Sequence, residues 1–533
     1  MRTSRAAFKY AMRRCRQNED TLRADAMSRS LASGDVRSFW RGVAKGDGAG
    51  ARPDRVDGAV GDEDIAELWA NKFGQVLNSV RDEEIRKEFY ESYDSVQLDE
   101  LESVTVAEMR SIVMKLKDGK ANGLDNIPNA LYRHSPFYML YFISSMCNIF
   151  MIHEYIPEEI TNAKIVPLLK GKLLDFSRSE NYRPITISTS FSKVIEHVIY
   201  NRIKSKLKCI DNQFGYKPKT STDMCIFSET INYYRTRNTS VFACYLDVKS
   251  AFDKILHWKM FGKLLARGVP KSILSLLIFW YTNQRTCVGW GGQVSRTFYM
   301  TNGIKQGSLI SPYIFNLYVE SLNEALNDSG IGCCIASNPV NNLSWADDLV
   351  ILSPSSHALQ EMLKICDIFA KDHLMTFNTK KTKCMIFQTS QTPITKEPTM
   401  VLSGKRLEYV EGFTYLGHII TSDLKDDVDI CSQNRKLCAR GNMLIRKFAA
   451  CSPDVKCYLF RTYCYSIYGA ALWSTYKLSS IDRLRVNYNN ILRRMLNIPQ
   501  WHSASEMFVQ HRVNGFHELR RSQYLTEHSV TLR

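Results

Sequence analysis

Three aspartates stand where they could hold metal ions. Asp347 and Asp348 are neighbours between two largely apolar runs. Neighbouring strand residues point to opposite faces, so the pair fits a tight hairpin turn, where both side chains can reach one site. Asp247 ends the apolar run 241–246, as a carboxylate at the end of a buried strand would. Mutually repelling carboxylates need cations between them, and a pair of Mg²⁺ ions roughly 4 Å apart is the usual device for in-line phosphoryl transfer.

The composition suits a folded protein that binds a polyanion. The chain has 533 residues, 44% of them hydrophobic, which is enough for a large core and roughly three or four domains or subdomains. Lys and Arg number 70 against 54 Asp and Glu, a formal net charge of +16. Such a charge attracts polyanions at long range, and nucleic acid is the natural partner. The net charge alone would also fit a basic protein that has no nucleic-acid partner.

Cysteine spacing and hydropathy exclude several protein classes. The 15 cysteines form no C-x-x-C pair, which disfavours a zinc ribbon and a disulfide framework. Residues 1–16 are basic and lack the apolar core of a signal peptide. The most apolar segment, 137–152, contains Ser144, Ser145 and Asn148 and is short for a membrane span, which predicts a buried helix and no membrane partner. We expect an intracellular protein.

The elements that must position the acids change character along the chain. Residues 1–43 form a basic segment with helical periodicity, and 44–62 read as a Gly-, Asp- and Arg-rich linker. A helical N-terminal extension follows over 63–119. After Arg183 short apolar runs alternate with amphipathic helices, which is typical of an α+β or α/β body. Helical patterns return beyond about Ser422.

Helix boundaries can be predicted around several of these positions. Thr105 and Glu108 form a capping box. Ser250 starts a helix just after Asp247, and the helix stops at Gly268. Ser355 or the next serine starts another helix behind the Asp pair. Its apolar stripe predicts core positions at Leu359, Met362, Leu363, Cys366 and Phe369.

Several blocks follow one another in a fixed order. They are Lys120–Pro128, Asn181–Ile185, Gln213–Lys217, Tyr245–Asp253 (YLDVKSAFD), Gly303–Pro312 (GIKQGSLISP), Ala346–Asp348 (ADD), Asn378–Thr382 and Phe413–Gly417. In order and spacing the blocks resemble the motifs of reverse transcriptases. Lys120–Pro128 gives them the character of the non-LTR, LINE-type retrotransposon enzymes.

The resemblance implies an α+β fold, the right-hand polymerase, with helical N- and C-terminal extensions. Fingers and a palm with an antiparallel sheet would occupy residues 120–420, and a helical thumb with the C-terminal region would occupy 421–533. It implies an RNA-directed DNA polymerase with an RNA template, a DNA primer and dNTPs as partners. Two Mg²⁺ ions, with Mn²⁺ as a substitute, would be its cofactors.

The resemblance also assigns roles to the acids. Asp247 and Asp347 would be catalytic and hold both ions, one lowering the pKa of the primer 3′-hydroxyl and the other taking charge from the triphosphate. Asp348 would be a further ligand. Trp345 stands where a smaller aromatic is common in the family, which alters the pocket beside the pair.

Further residues would bind the nucleotide. Lys170 and Arg183 resemble the cations that grip triphosphate oxygens, although each alone is more often a surface cation. Val248 would contribute to the same pocket. Phe252 would pack under the incoming sugar and exclude a 2′-hydroxyl, but it fits the apolar face of the predicted helix equally well.

Two later blocks complete the predicted nucleotide site. Gln306 and Gly307 resemble a turn that opens a helix beneath the templating base pair, where a missing Cβ lets nucleic acid approach. Gly307 could equally be an ordinary helix-start glycine. Lys381 resembles the lysine near the leaving pyrophosphate that acts as general acid. Lys380 and Lys383 are alternatives for that role.

The last block and the C-terminal helices would hold nucleic acid. Tyr415, Leu416 and Gly417 resemble a primer-grip hairpin, with an ordinary buried strand as the alternative. Helices are predicted over 458–473 and 481–496. The outward side chains of the second are Arg483, Arg485, Arg493 and Arg494, which would contact a phosphate backbone or form a solvated face.

The sequence departs from complete elements of this type. No endonuclease domain and no Cys/His-rich segment is visible, so we expect a truncated or domesticated enzyme whose target nicking comes from elsewhere. Two alternatives stay open. A catalytically dead nucleic-acid-binding relic is disfavoured by the intact aspartates, and an RNA-templated RNA polymerase is disfavoured by Phe252. The oligomeric state is not predicted, and priming on chromosomal DNA would require nuclear access.

Overall fold

The computed structural model describes most of the chain beyond residue 51. The described ranges are 52–80, 83–97, 101–171, 174–217, 224–389, 391 and 394–531, with isolated positions before residue 40. The predicted basic helical segment 1–43 therefore lies, apart from those positions, outside the described residues.

The described helices and strands alternate through the middle of the chain. The helices are α1 Asp62–Leu77, α2 Glu83–Asp94, α3 Val106–Lys115, α4 Asn129–Arg133, α5 Phe137–His153, α6 Glu158–Thr161, α7 Ser190–Ile203, α8 Met224–Arg235, α9 His257–Ala266, α10 Lys271–Asn283, α11 Ser311–Asp328, α12 Ser356–Asp372, α13 Asp427–Lys447, α14 Pro453–Cys464, α15 Leu478–Leu496, α16 Ala504–Gln510 and α17 Phe516–Thr531. The strands are β1 Arg55–Val56, β2 Ala59–Val60, β3 Ala163–Leu169, β4 Tyr182–Ser188, β5 Val241–Asp247, β6 Arg285–Trp290, β7 Gln293–Val294, β8 Phe298–Tyr299, β9 Cys334–Ile335, β10 Asn338–Pro339, β11 Asn342–Trp345, β12 Asp348–Ser353, β13 Lys383–Phe387, β14 Val401–Leu402, β15 Lys405–Arg406, β16 Glu408–Tyr409, β17 Gly412–Tyr415 and β18 His418–Thr421.

A five-stranded sheet forms the centre of the molecule. Its strand order is β11-β12-β5-β13-β16, and β5 pairs antiparallel with both β12 and β13. Alternate residues of β5 enter two different hydrophobic clusters, with Cys244 on the side of helices α11 and α12 and Tyr245 on the side of helix α8. Both faces of β5 are therefore covered, which is why its sequence is a continuous apolar run.

A second sheet lies on the N-terminal side of the central one. Its order is β4-β3-β6-β7, with β8 also pairing β6. Helix α1 packs on it through Trp69, which lies 5.0 Å from Tyr182 and 6.0 Å from Trp290 between ring centroids. Strand β4 contacts the segment that precedes α11, since Thr186 N donates to Gln306 O at 2.8 Å.

Two predictions about the N-terminal half are wrong in part. Residues 55–60, which the sequence assigns to the linker, form the β1-β2 hairpin, because Asp57-Gly58 is a turn dipeptide between strand residues. Val56 in this hairpin is fully buried. Helix α5, predicted to be buried, packs through one face only. Its opposite face exposes large side chains at Phe137, Tyr138, Tyr141, Phe142, Ile149 and Ile152. Among the described helices, none is both long and apolar enough to cross a membrane.

The local helix predictions fare better. Thr105 caps α3 by accepting a hydrogen bond from Glu108 N. Ser355 caps α12 by accepting one from Ala358 N. The apolar stripe predicted for α12 is buried. The helix predicted from Ser250 is instead a 3₁₀ turn over Ala251–Lys254, and α9 begins at His257. The turn ends because the backbone of Ile255 and Leu256 is extended, with ψ of 124° and 120°.

The C-terminal region is a helical body built around α13, α14 and α15. Helix α15 confirms the helix predicted over 481–496, and its inward residues Leu484, Tyr488 and Leu492 are fully buried. The helix predicted over 458–473 is wrong beyond Cys464, where α14 ends. The following residues leave the helical path because their polar groups bond to the hairpin β17-β18 and to α13, described below.

Candidate functional site: a carboxylate cleft between two sheets

The three predicted aspartates meet at one end of the central sheet. Strands β11 and β12 are joined by the two-residue turn Ala346-Asp347, and Trp345 pairs with Asp348 across it. Asp348 is in turn the direct antiparallel partner of Asp247 on β5. Partners in such a pair lie about 4.5–5.5 Å apart between Cα atoms and project on the same face. The structure therefore brings together Asp247 and the Asp347-Asp348 pair, which are far apart in the sequence.

The acids crowd one another electrostatically. Asp347 and Asp348 are open to solvent at the floor of a cleft. The protein packed around them raises the pKa of both, and neighbouring carboxylates add to that effect, so that the pKa of Asp348 rises to about 6. Arg183 acts in the opposite sense on Asp347, and Lys381 does so on Asp348. Negative charge here is only partly compensated by the protein's own cations.

Hard oxygen donors with uncompensated charge fit a divalent cation. Within the described ranges, however, no group of three His, Cys, Asp or Glu side chains is arranged to hold a metal ion by itself. Mg²⁺ at phosphoryl-transfer sites is commonly held by one or two carboxylates, with water and substrate phosphates completing its shell. Asp247, Asp347 and Asp348 would supply the protein's share.

Three cations lie near the acids, two of them on the second sheet and the third, Lys381, on the loop next to Asp247. Lys170 follows β3, where its Nζ donates to Glu180 O at 2.7 Å. Burial lowers its pKa, and Lys381 and Arg183 are the next contributors, so the three positive charges are neighbours. Arg183 is exposed on β4. A cluster of positive charge of this kind attracts polyanions.

The loop that carries Lys381 is tied directly to the acids. Asn378 N donates to Asp247 O at 2.7 Å, and Asp247 N donates to Thr382 Oγ1 at 3.3 Å. Of the lysines that compete for the predicted role, Lys383 forms an ion pair with Glu408. Lys381 is the one whose charge acts on both Asp348 and Lys170.

The Gln306-Gly307 turn is held against the second sheet. Gly307 has φ of 117°, and a Cβ there would lie 2.9 Å from Thr186 O, so a side chain does not fit. Gln306 Nε2 donates to Asp253 Oδ1 at 2.9 Å. Helix α11 begins at Ser311, so the turn precedes the helix rather than opening it directly.

Phe252 and Val248 lie beside the acids on the side of helix α11. The Phe252 ring stacks on Phe315 with centroids 4.6 Å apart and planes 7° apart, and it is half-buried. The ring therefore packs in the core, as the apolar interpretation expects, and part of its surface stays exposed. Val248 is half-buried and forms an isolated bridge with Phe377.

The predicted primer-grip residues form a hairpin turn next to the acids. Tyr415 pairs with His418, so Leu416 and Gly417 form the turn between β17 and β18. The hairpin packs on the central sheet, where Phe413 stacks on Tyr245 at 4.4 Å. Together the hairpin, Asp247, Asp348 and the lysine loop line a cavity of about 420 Å³.

One positioning contact has no counterpart in the sequence-based roles. Gln213, 1% exposed, accepts at Oε1 from Ala346 N and from Gly215 N, both at 2.9 Å. A Cβ on Gly215 would lie 2.5 Å from Ala346 N. The segment around Gln213 thus supports the turn that carries Asp347. The sequence contains Gln213 in one of the motif blocks. Nothing in the local sequence, however, shows that its side chain contacts Ala346, 133 residues away.

Comparison with known proteins identifies the domain. The family described as reverse transcriptase (RNA-dependent DNA polymerase) matches residues 170–420, which include the acids, the cation cluster and the hairpin β17-β18. Residues 170–420 are thus similar to the reverse transcriptase family. Reverse transcriptases use divalent metal ions, in agreement with the donor chemistry of the cleft.

Curated relatives are RNA-directed DNA polymerases of non-LTR retrotransposons. The chain is 25% identical over 421 residues to the RNA-directed DNA polymerase from mobile element jockey of Drosophila funebris, covering 74% of this chain and 44% of that protein. It is 22% identical over 470 residues to the probable RNA-directed DNA polymerase from transposon BS of Drosophila melanogaster, covering 81% and 50%. It is 29% identical over 213 residues to the Pol polyprotein from type-2 retrotransposable element R2DM of Drosophila melanogaster, covering 39% and 20%. The chain thus spans at most half the length of these relatives.

Among solved structures, an apo telomerase from Candida tropicalis, truncated from its C-terminal domain, matches 54% of this chain and 59% of its own. The identity is 11% and the TM-score 0.36, a likeness too weak to add detail to the fold.

Proposed function

We propose that the protein is an RNA-directed DNA polymerase of a LINE-type retrotransposon, which extends a DNA primer on an RNA template. The observation that carries the proposal is the pairing of Asp247 with Asp348, with Asp347 on the adjoining turn, near a cluster of Lys170, Arg183 and Lys381. Acids and cations that lie near one another in a cleft match the needs of nucleotidyl transfer. The metal ions require carboxylates, and the triphosphate requires cations.

The residues of the cleft divide the work as follows. Asp247, Asp347 and Asp348 hold two Mg²⁺ ions, for which Mn²⁺ can substitute, and these supply an activated 3′-hydroxyl and charge neutralisation at the triphosphate. Lys170 and Arg183 bind the triphosphate oxygens. Lys381 lies nearest the leaving pyrophosphate and delivers the proton that it takes up.

The remaining elements place nucleic acid and sugar. Residues 120–420 act as fingers and palm, and the helical body of 421–533 acts as the thumb. Tyr415, Leu416 and Gly417 hold the primer end, and Gln306 and Gly307 lie under the nascent base pair. Val248 and Phe252 form the floor for the incoming sugar. Since the primer of such elements is chromosomal DNA, the working enzyme has access to the nucleus.

Primer extension tests the proposal. Full-length protein is given a DNA-primed RNA template, dNTPs and Mg²⁺, beside the Asp347→Ala variant. We expect Mg²⁺-dependent extension by the wild-type protein and none by the variant, with binding of the primed RNA retained by both. Binding without extension by the wild-type protein would instead identify a non-catalytic relic.

A second comparison separates DNA from RNA synthesis. We expect the wild-type protein to use dNTPs in preference to rNTPs. Phe252→Ala should narrow that preference by admitting the 2′-hydroxyl, and a thermal melt must show that losing the stack on Phe315 leaves the fold intact. Equal or preferred use of rNTPs by the wild-type protein would favour an RNA-templated RNA polymerase.

A further inference from the structure

Asp429 is a fully buried carboxylate that the proposed chemistry does not use. It lies in the first turn of helix α13, with 0% of the residue exposed. Trp473 Nε1 donates to its Oδ2 at 2.9 Å, and Ile419 N donates to its Oδ1 at 3.2 Å. His418 Nδ1 lies 3.2 Å from Oδ2. A buried charge with partners on several segments fixes those segments relative to one another.

The partners of Asp429 belong to the hairpin β17-β18 and to the C-terminal helical body. His418 and Ile419 begin β18, immediately after the turn Leu416-Gly417. Trp473 lies in the segment that follows α14, where the predicted helix fails. Although burial raises the pKa of Asp429, its contacts with His418 and Trp473 outweigh that effect and leave the pKa below its ordinary value. The carboxylate is therefore held in its charged form at this junction.

A second contact joins the same two parts. Tyr468 Oη donates to Leu416 O at 2.7 Å, on the turn itself. Gly469 lies close beneath His418, since a Cβ at that position would be 2.8 Å from His418 Nδ1. The segment after α14 thus contacts both the turn and the first residue of β18.

Side-chain contacts, rather than pairing with another sheet, fix the position of the hairpin. Strands β17 and β18 pair only with each other among the described strands, outside the five-stranded sheet. An isolated two-stranded hairpin is marginally stable in water. Its packing on Tyr245 connects it to the acids, and Asp429 and Tyr468 connect it to the C-terminal helices.

We propose that Asp429 is a positioning residue that fixes the hairpin β17-β18 to helix α13, so that the hairpin and the C-terminal helical body hold the primer end as one unit. This rests on the proposed function, in which the turn of that hairpin contacts the primer. Asp429 acts through the hairpin and touches neither nucleotide nor metal.

The test compares Asp429→Asn with Asp427→Asn in the full chain. Asp427 lies two residues earlier on the same helix and accepts from Lys477 N at 3.1 Å and from Ser480 Oγ, without contacting the hairpin. We expect Asp429→Asn to raise the KM for primed template about tenfold, with the KM for dNTP within about twofold. Asp427→Asn should leave both KM values unchanged. If Asp429 served stability alone, Asp429→Asn would lower the fraction of folded enzyme and therefore the apparent kcat. The KM for primed template would then stay unchanged.

Hydrogen exchange supplies a readout that does not depend on activity. Asp429→Asn should speed amide exchange over residues 412–421, and Asp427→Asn should not. If wild-type protein fails to extend primers, the proposed function fails, while this readout still decides whether Asp429 fixes the hairpin. Exchange and KM for Asp429→Asn matching those for Asp427→Asn would overturn the inference.

Tyr468→Phe covers the case in which Asp429→Asn does not fold. The change removes one hydroxyl at an exposed ring and loses the bond to Leu416 O. We expect faster exchange at the turn and a rise of about threefold in KM for primed template. No change in either measurement would contradict the proposed connection between the hairpin and the C-terminal helices.

Discussion

Two hairpins border the carboxylate cleft, and they are held in different ways. The hairpin β11-β12 carries Asp347 and Asp348, and its strand β12 pairs with β5 in register from Asp348 to Ser353. The hairpin β17-β18 carries Leu416 and Gly417 and pairs with no strand of the central sheet. Backbone register fixes the first, while side chains of the central sheet and of the C-terminal region fix the second.

The difference teaches where each part is vulnerable. Cross-strand backbone bonds keep the acids in place whatever side chain stands at one position, so single substitutions there act on chemistry rather than on placement. A hairpin held by a few side chains loses its position when one of them changes. Substitutions in the first hairpin should therefore affect catalysis with binding retained, and substitutions around the second should affect primer binding.

The largest effect is expected from Asp347→Ala. Removing one ligand impairs metal placement, while the β11-β12 pairing and the basic surfaces that bind RNA stay intact. We expect a loss of at least about 10³-fold in single-nucleotide incorporation, with the dissociation constant for primed RNA within about threefold. Filter binding alongside single-turnover extension measures both. A parallel loss of binding would break the distinction between the hairpins.

A smaller loss is expected from Lys381→Ala, with Lys383→Ala as the matched control. Lys381 acts on both Asp348 and Lys170, whereas Lys383 is paired with Glu408. Removing the cation nearest the leaving pyrophosphate should slow incorporation about a hundredfold, and removing Lys383 should slow it less than threefold. Single-turnover incorporation rates of the two variants measure the difference. Equal effects of the two substitutions would contradict the role proposed for Lys381.

Gly215→Ala tests the support beneath the acid-bearing turn. Its Cβ would lie 2.5 Å from Ala346 N, so the turn must shift, and a shift of this kind costs about tenfold to a hundredfold in rate. Gly262→Ala is the control, because a Cβ there, in helix α9, meets nothing within 4 Å. We expect slower incorporation and unchanged primer binding for the first variant only. Weakened primer binding by Gly215→Ala would mean that the two hairpins are not positioned independently.

The sequence predicted the site well where local rules apply. The abrupt end of an apolar run at Asp247, the paired acids between apolar runs and the serine before α12 each follow from the period of a strand or the capping of a helix. The acid turn and its apolar surroundings could therefore be located before any coordinates. The roles of the surrounding residues came from the family resemblance, and they remain predictions.

Contacts between distant segments were beyond such rules. Gln213 supports a turn 133 residues away, and Trp473 donates to Asp429 from a segment whose apolar spacing looked helical. The same limit explains α5, whose apolar composition predicted burial without showing that only one face has a partner. Periodicity reports how an element would pack and leaves its neighbours unspecified.

The last prediction concerns stability rather than rate, as a pH-dependent change at Asp253. Burial raises the pKa of Asp253 to about 6, so the fold disfavours its ionised form. That penalty is absent below the unfolded pKa, grows as pH rises towards 6 and is constant above it.

Asp253→Asn removes the penalty and keeps an amide oxygen for Gln306 Nε2. Relative to wild type, the variant should therefore gain stability between pH 4 and 6, by an amount on the order of 3 kcal/mol at neutral pH. Thermal midpoints of both proteins from pH 4 to 8 measure it. Asp427→Asn should instead be less stable than wild type by a constant amount over this range, because hydrogen bonding from Ser480 lowers the pKa of Asp427 and its titration lies below pH 4. A constant difference between Asp253→Asn and wild type across that range would show that Asp253 is ionised in the fold without penalty, and Lys170 would then be its compensating partner.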